Sequence, residues 1–105
     1  MIRCVVESPY AGDIERNIEY AKKCVTWCIK NAYAPICSHL LFTQPGILND
    51  NDHFERVLGI SCGLQWLRVS EKQIFFVDYG MSEGMNKGKE VGKLIGIEQE
   101  FIKIL

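Results

Sequence analysis

The sequence lacks the features that identify several large classes of protein. No apolar run among its 105 residues approaches the roughly 18 residues that a membrane-spanning helix needs. The N-terminal segment has no basic stretch followed by an apolar one, so a secretory signal is not expected. The net charge of −1 provides no general attraction to nucleic acid or to an anionic membrane. We therefore expect a cytoplasmic protein that binds neither, and in which local contacts must hold any anionic ligand.

The cysteines do not form a disulfide or metal-binding pattern. There are five, an odd number, and they include no C-x-x-C pair and no ordered spacing with histidine. Cys24 and Cys28 lie four residues apart and would share one helix face, as in half of a metal site. Free cysteine usually packs as a small apolar residue, so we expect buried thiols and neither a metal ion nor another cofactor.

Strand and helix patterns alternate along the whole chain. Its length suits one domain, residues 1–105, with a single core. Short apolar runs predict strands at 2–7, 34–37, 73–78 and 98–105, and helical periodicity predicts helices at 13–32, 52–71 and 83–95. This alternation predicts an α/β fold, a doubly wound parallel sheet of about four strands with helices on both faces. Trp27 and Trp66 lie at helical core spacing and are expected to pack inside.

Residues 42–54 interrupt the alternation. They contain Pro45, Gly46 and a run of Asn and Asp residues, and no clean periodicity connects them. The segment is predicted to be a long loop, and a loop of this length is a candidate lid over a ligand.

The first strand ends in the sequence ESPY. The Ser8 hydroxyl, the Tyr10 ring and the backbone N–H groups around Pro9 could hold the edge of a sugar or a phosphate. The segment lacks the G-x-G-x-x-G spacing of a dinucleotide-binding loop, and a plain turn is the alternative interpretation. Such strand ends matter because ligands of open α/β sheets bind in the crevice beyond them.

The third strand ends in Asp78 and continues into a glycine-rich turn. A carboxylate at this position could accept hydrogen bonds from ribose hydroxyls, although it could also cap the turn. Gly80 and Gly84 allow a ligand to approach the backbone closely, and the helix that starts at Gly84-Met85 has free N–H groups that favour an anion. His39, at the end of the second strand, could bind a base or phosphate, or could be structural.

Several of these segments resemble one protein family over nearly the whole chain. ESPYAG, PICSHL, ILND, GLQW, VDYGMSEGM and GKEVG look like motifs of small bacterial and phage proteins related to nucleoside 2-deoxyribosyltransferases. The resemblance implies a flavodoxin- or Rossmann-like sheet that binds a nucleoside or nucleotide, with a glutamate nucleophile acting at the sugar C1′. It also implies that neighbouring subunits complete the pocket. Its motifs assign ligand binding to Ser8, Pro9, Tyr10, Asp78, Gly80, Ser82, Gly84 and Met85.

The chain departs from this family at the position of the nucleophile. The catalytic relatives place their glutamate four residues after the motif glycine, and here that position is Gly88. Glu90 lies two residues further on, which rotates its side chain by roughly 200° around the helix. Glu83 lies before the glycine. We therefore interpret the chain as a binding protein without turnover, with catalysis through Glu90 or Glu83 as the alternative.

The resemblance also suggests a biological setting and an assembly. A phage protein of this kind could sequester a nucleotide immune signal, such as a cyclic ADP-ribose derivative or a cyclic dinucleotide. The alternative is a nucleoside 2-deoxyribosyltransferase or N-glycosidase. A sheet this small offers only a shallow crevice, whereas a nucleotide pocket usually buries most of its ligand. A homo-oligomer is therefore expected, with apolar loop residues reaching across a two-fold axis: Phe42, Ile47, Leu48 and Phe54.

Overall fold

The computed structural model of the chain describes residues 1–105 and contains one four-stranded parallel sheet. The strands are β1 (Ile2–Glu7), β2 (Tyr33–Ile36), β3 (Lys72–Phe76) and β4 (Glu98–Ile102). The helices are α1 (Ile14–Lys30), α2 (Ser38–Phe42), α3 (His53–Val69) and α4 (Glu83–Ile95). The strand order β2-β1-β3-β4 confirms the predicted doubly wound α/β fold. None of the helices is long and apolar enough to cross a membrane.

The boundaries differ from the sequence prediction at three places. The third and fourth strands end at Phe76 and Ile102, earlier than predicted, and the short helix α2 lies between the second strand and the predicted loop, which it overlaps only at Phe42. Its five residues are too few to show a helical period. The loop between α2 and α3 therefore comprises residues 43–52. Asp52 caps α3, because its carboxylate accepts a hydrogen bond from the Glu55 N–H at 3.1 Å.

The largest core cluster lies between α1 and the sheet. Apolar side chains on α1 recur at three- and four-residue spacing and meet alternate residues of β1 and β3. Its fully buried members are Cys4, Val6, Tyr20, Ala21, Cys24, Cys28, Cys37, Ile74 and Phe76. Four of the five cysteines are thus buried free thiols, as predicted for Cys24 and Cys28, and Cys62 is exposed.

Helix α3 packs less completely on the opposite face. Leu67 is its only fully buried residue, although apolar residues lie on several sides of the helix. Trp66 is 50% exposed, so its predicted place in the core is wrong. Helical spacing cannot identify the inner face of a helix that is apolar on several sides. Trp27 packs against the core cluster as predicted, in contact with the rings of Tyr33 and Phe76.

Helix α4 contacts the sheet through glycines and buried amide groups. The Gln73 amide nitrogen donates to the Gly88 carbonyl at 3.0 Å. The Gln99 amide nitrogen donates to the Gln73 amide oxygen at 2.8 Å and to the Lys89 carbonyl at 2.9 Å. A Cβ atom at Gly92 would overlap both amide groups. The side chains of β3 and β4 therefore bind the helix backbone directly, because residues 88 and 92 have no side chains.

This contact predicts that Gly92→Ala destabilises the protein. Alanine ordinarily stabilises a helix interior by about 1 kcal/mol relative to glycine. At residue 92, however, its methyl group would displace the buried Gln73 and Gln99 amides, and each lost hydrogen bond costs about 1–3 kcal/mol. Urea unfolding should show a lower free energy of unfolding for Gly92→Ala. The control is Gly84→Ala, since a Cβ there meets only the Ser82 hydroxyl at 4.0 Å. Equal stability of the two variants would contradict the prediction.

Candidate functional site

The carboxyl ends of β1 and β3 form the point where the winding of the sheet reverses. The chain leaves β1 towards β2 on one side and leaves β3 towards β4 on the other. In doubly wound sheets a crevice opens at this reversal and receives the ligand. Glu7, the last residue of β1, pairs with Phe75 of β3. The two segments predicted to bind ligand, residues 8–10 and 78–85, therefore follow neighbouring strand ends.

Three predicted site residues come together at the end of β1. The Ser8 hydroxyl lies 3.0 Å from Nε2 of His39, and the Tyr10 ring meets the His39 ring edge-on at a centroid distance of 6.2 Å. Cys37 Sγ lies 3.4 Å from Nδ1 of the same histidine. Burial lowers the pKa of His39 to about 4, so the imidazole is neutral at physiological pH. An uncharged histidine thus contacts the Ser8 hydroxyl, beside the buried Pro9.

A cavity of about 500 Å³ opens beside Tyr10. Its opposite wall is the loop of residues 43–52, the segment predicted to be a lid. The cavity is lined by Tyr10, Ile14, Thr43, Pro45, Gly46, Ile47, Leu48, Asn49, Asp50, Asn51 and Glu55. The loop therefore faces Tyr10 and Ile14 across one open space, which is large enough for a small organic ligand. Tyr10 is the only predicted site residue in its lining.

Asp78 follows β3, and its carboxylate forms hydrogen bonds with other groups of the protein. The carboxylate accepts hydrogen bonds from the Tyr20 hydroxyl at 2.5 Å and from the backbone N–H groups of Ile104 and Leu105 at 3.1 and 2.9 Å. Burial opposes ionisation of Asp78, but these hydrogen bonds outweigh it and hold the pKa below its usual value. Asp78 thereby attaches the C-terminus to α1. Its role in binding ribose stays a prediction.

The turn between Asp78 and α4 has a clear local structure. Gly80 has a φ of 82°, which favours glycine, and its N–H donates to the Val77 carbonyl at 3.0 Å. The Ser82 hydroxyl caps α4 by accepting from the Met85 N–H at 3.2 Å, and the Met85 side chain is buried. Gly84 is exposed. Ligand binding by these residues stays a prediction beside these structural roles.

The two predicted catalytic glutamates lie on the solvent face of α4. The side chains of Glu83 and Glu90 are 87% and 72% exposed and pair with Lys87 and Lys93 at 3.2 and 4.0 Å. Residue 88 faces the sheet instead. The half-turn of helix between residues 88 and 90 therefore directs the Glu90 side chain to solvent, as expected. No group of three or more His, Cys, Asp or Glu residues is arranged to hold a metal ion.

Glu7 is a further candidate that sequence reasoning did not select as a functional residue. A Cβ atom at Gly88 would lie 2.5 Å from its Oε2, so the carboxyl group fills the space beside the glycine. Burial raises the pKa of Glu7 to about 7, and a hydrogen bond with Gln73 acts in the opposite direction. A carboxylate directly after an apolar strand was the available signal, and the same signal identified Asp78.

Comparisons with known proteins agree with this architecture. The family model described as a domain of unknown function, DUF7768, matches residues 3–102. The chain belongs to the DUF7768 family. Its structure is similar to that of a 2-deoxyribosyltransferase from the psychrotolerant bacterium Bacillus psychrosaccharolyticus, with a TM-score of 0.62 over 96% of this chain and 72% of that chain. The sequence identity is 9%, so the similarity concerns the fold. A comparison with curated proteins finds no match.

The environment of Glu7 in this DUF7768 protein predicts an effect of pH on stability. Its pKa rises from 4.5 in the unfolded chain to about 7, so the folded state loses stability as the pH rises through this interval. His39 acts oppositely, because its pKa falls from 6.5 to about 4 and folding is favoured as the pH rises. The two effects partly cancel in the wild-type protein.

Glu7→Gln removes one of these two effects. Relative to the variant, the wild-type protein should lose on the order of 2–3 kcal/mol of unfolding free energy between pH 4.5 and pH 7. Urea unfolding at several pH values measures the difference, in which the contribution of His39 cancels. A difference that stays constant over this interval would mean that Glu7 ionises normally in the folded protein.

Proposed function

We propose that this DUF7768 protein binds a nucleoside or nucleotide derivative at the carboxyl ends of β1 and β3. The supporting observation is the cavity beside Tyr10, which lies in the segment that follows β1. The winding of the sheet reverses between β1 and its neighbour β3. One structural neighbour is a 2-deoxyribosyltransferase described as a biocatalyst for the synthesis of nucleosides, and this chain shares its fold.

The groups around the cavity suit a ligand with a flat ring and polar substituents. The Tyr10 ring lines the cavity and provides a surface on which a base can stack. Asn49 and Asn51 provide amide donors and acceptors from the loop on the other side. His39 is neutral and holds Ser8 in place without adding charge. Recognition would therefore depend on stacking and hydrogen bonds more than on net charge.

Binding without turnover agrees best with the positions of the predicted nucleophiles. Glu83 and Glu90 are exposed and paired with lysines, and residue 88 has no side chain. We extend the proposal to a phage setting, in which the protein sequesters a cyclic ADP-ribose derivative or a cyclic dinucleotide in the cytoplasm of the host. One observation favours the alternative, a deoxyribosyltransferase or N-glycosidase: Glu7 places a carboxyl group beside Gly88.

Analysis of small molecules distinguishes binding from catalysis. The purified protein is denatured and the released compounds are identified by mass spectrometry. The native protein is then incubated with nucleosides, nucleotides, cyclic ADP-ribose and cyclic dinucleotides, and the mixtures are separated by chromatography. We expect an intact ligand in both experiments. Release of a free base by the wild-type protein, abolished in Glu90→Gln, Glu83→Gln or Glu7→Gln, would identify an enzyme instead.

We also propose that the protein is a homo-oligomer in which α3 and the preceding loop form the interface. Phe54 is 81% exposed, and Leu58, one helical turn further on, and Ile47 in the loop are also exposed. These residues add an apolar surface next to the cavity, and a second copy of the chain would cover it.

Light scattering tests this assembly. The wild-type protein should have at least twice the mass of the chain at micromolar concentration. Phe54→Asp should reduce the mass to that of a monomer with little change in the stability of the fold, because this side chain makes few contacts within the chain. A wild-type monomer that still binds its ligand would contradict the proposal.

A further inference from the structure

The two carboxylates at the strand ends differ in how completely they are hydrogen-bonded. Asp78 accepts hydrogen bonds from one hydroxyl and two backbone N–H groups. For Glu7, the one hydrogen-bonding group that affects the pKa of the carboxyl is the amide of Gln73. That amide already donates to the Gly88 carbonyl. A carboxylate has about four acceptor positions, so most of those on Glu7 remain unused although the group is largely surrounded by protein.

The location of Glu7 allows a ligand to supply further hydrogen bonds. It is the last residue of the central strand β1, at the point where the winding of the sheet reverses. The residue is partly exposed, so a ligand atom can reach it. Ser8 follows directly, and Tyr10, on the wall of the cavity, is three residues away. A ligand with a ring on Tyr10 would have its next group near the end of β1.

The space for this carboxyl exists because residue 88 is glycine. Any Cβ at that position would lie 2.5 Å from Oε2 and 3.3 Å from Cδ of Glu7. Other side chains at residue 88 would therefore displace the carboxyl from its present position. The position of the Glu7 carboxyl therefore depends on the absence of a side chain at residue 88 of α4.

The chemistry of the carboxyl selects the part of the ligand that it contacts. The Glu7 carboxyl is ionised above its pKa of about 7, and in that form it only accepts hydrogen bonds and repels a phosphate. A pair of neighbouring sugar hydroxyls offers two donors without charge, and hydrogen bonds to an ionised acceptor are stronger than those between neutral groups. The phosphates of a nucleotide would lie away from this point.

We propose that the Glu7 carboxyl contacts the ligand and accepts hydrogen bonds from the hydroxyls of its ribose. This inference rests on the proposed function and identifies the group that distinguishes ribose from 2′-deoxyribose. It predicts that the protein prefers a ribose ligand to its 2′-deoxy counterpart, and that the preference depends on Glu7 and on the absence of a side chain at residue 88.

Calorimetric titration of matched ligands and variants tests the inference. The probes are the four ribonucleoside 5′-monophosphates, their 2′-deoxy counterparts, cyclic ADP-ribose and cyclic di-GMP. The variants are Glu7→Gln and Gly88→Ala, and the control is Glu19→Gln, which removes an exposed carboxylate on α1 that pairs with Lys22. Circular dichroism melting shows whether each variant remains folded.

The expected result is a loss of ligand affinity that is specific to the variants at residues 7 and 88. Both Glu7→Gln and Gly88→Ala should weaken binding of the best ribose ligand by about tenfold or more, and Glu19→Gln should not. Where that ligand has a 2′-deoxy counterpart, loss of the hydroxyl should weaken binding to the wild-type protein and have little effect in Glu7→Gln, because the two changes remove the same hydrogen bond.

Other outcomes overturn the inference in recognisable ways. Unchanged affinity in a folded Glu7→Gln variant would exclude contact between Glu7 and the ligand while leaving the proposed function intact. Persistent discrimination against the 2′-deoxy ligand in that variant would assign the sugar to another group. Selection that follows the amino group of the base, with no effect of the sugar, would place Glu7 against the base. If the wild-type protein binds none of the probes, the proposed function fails together with the inference.

Discussion

The close contact between α4 and the sheet is the constraint on which the rest of the structure depends. It requires glycine at residue 92, where the amides of Gln73 and Gln99 occupy the space of a side chain, and at residue 88, where the Glu7 carboxyl occupies it. The two amides also donate hydrogen bonds to the helix backbone. The same contact aligns α4 with β3 and β4. It also leaves room for the Glu7 carboxyl beside residue 88. A buried polar network of this kind stabilises one arrangement only, since each amide must find its partners.

The contrast between Asp78 and Glu7 shows how the environment assigns different roles to similar residues. Both carboxylates lie where an apolar strand ends. Asp78 points towards α1, where Tyr20 and the C-terminal backbone provide donors and keep the carboxylate ionised. Glu7 points to the opposite face, where burial dominates and raises its pKa to about 7. One group therefore attaches the chain terminus, and the other retains unused hydrogen-bonding capacity at the crevice.

Much of the fold could be predicted because its signals are local. The alternation of apolar runs and helical periods identifies β1, α1 and α4 within a few residues, and Asp52 and Ser82 mark helix starts by their capping side chains. The failures have physical causes. Helix α2 is too short to show a period, and α3 is apolar on several sides, so its sequence did not reveal that Trp66 faces solvent. Ser8, Tyr10 and His39 were selected individually from their places at strand ends, and only the sheet brings them into contact.

The sequence by itself determined the element types, the parallel sheet and the missing side chain at residue 88, because these follow from residue spacing and identity. Tertiary structure decided which groups occupy the space that the glycines leave. Glu7 and Gly88 are 81 residues apart in the chain, and no local pattern connects them. Their contact exists because β1 lies beside β3 in the sheet and α4 packs on the face of the sheet to which the Glu7 side chain points. The electrostatic character of each carboxylate depends on such neighbours, since desolvation and hydrogen bonding are properties of the folded surroundings.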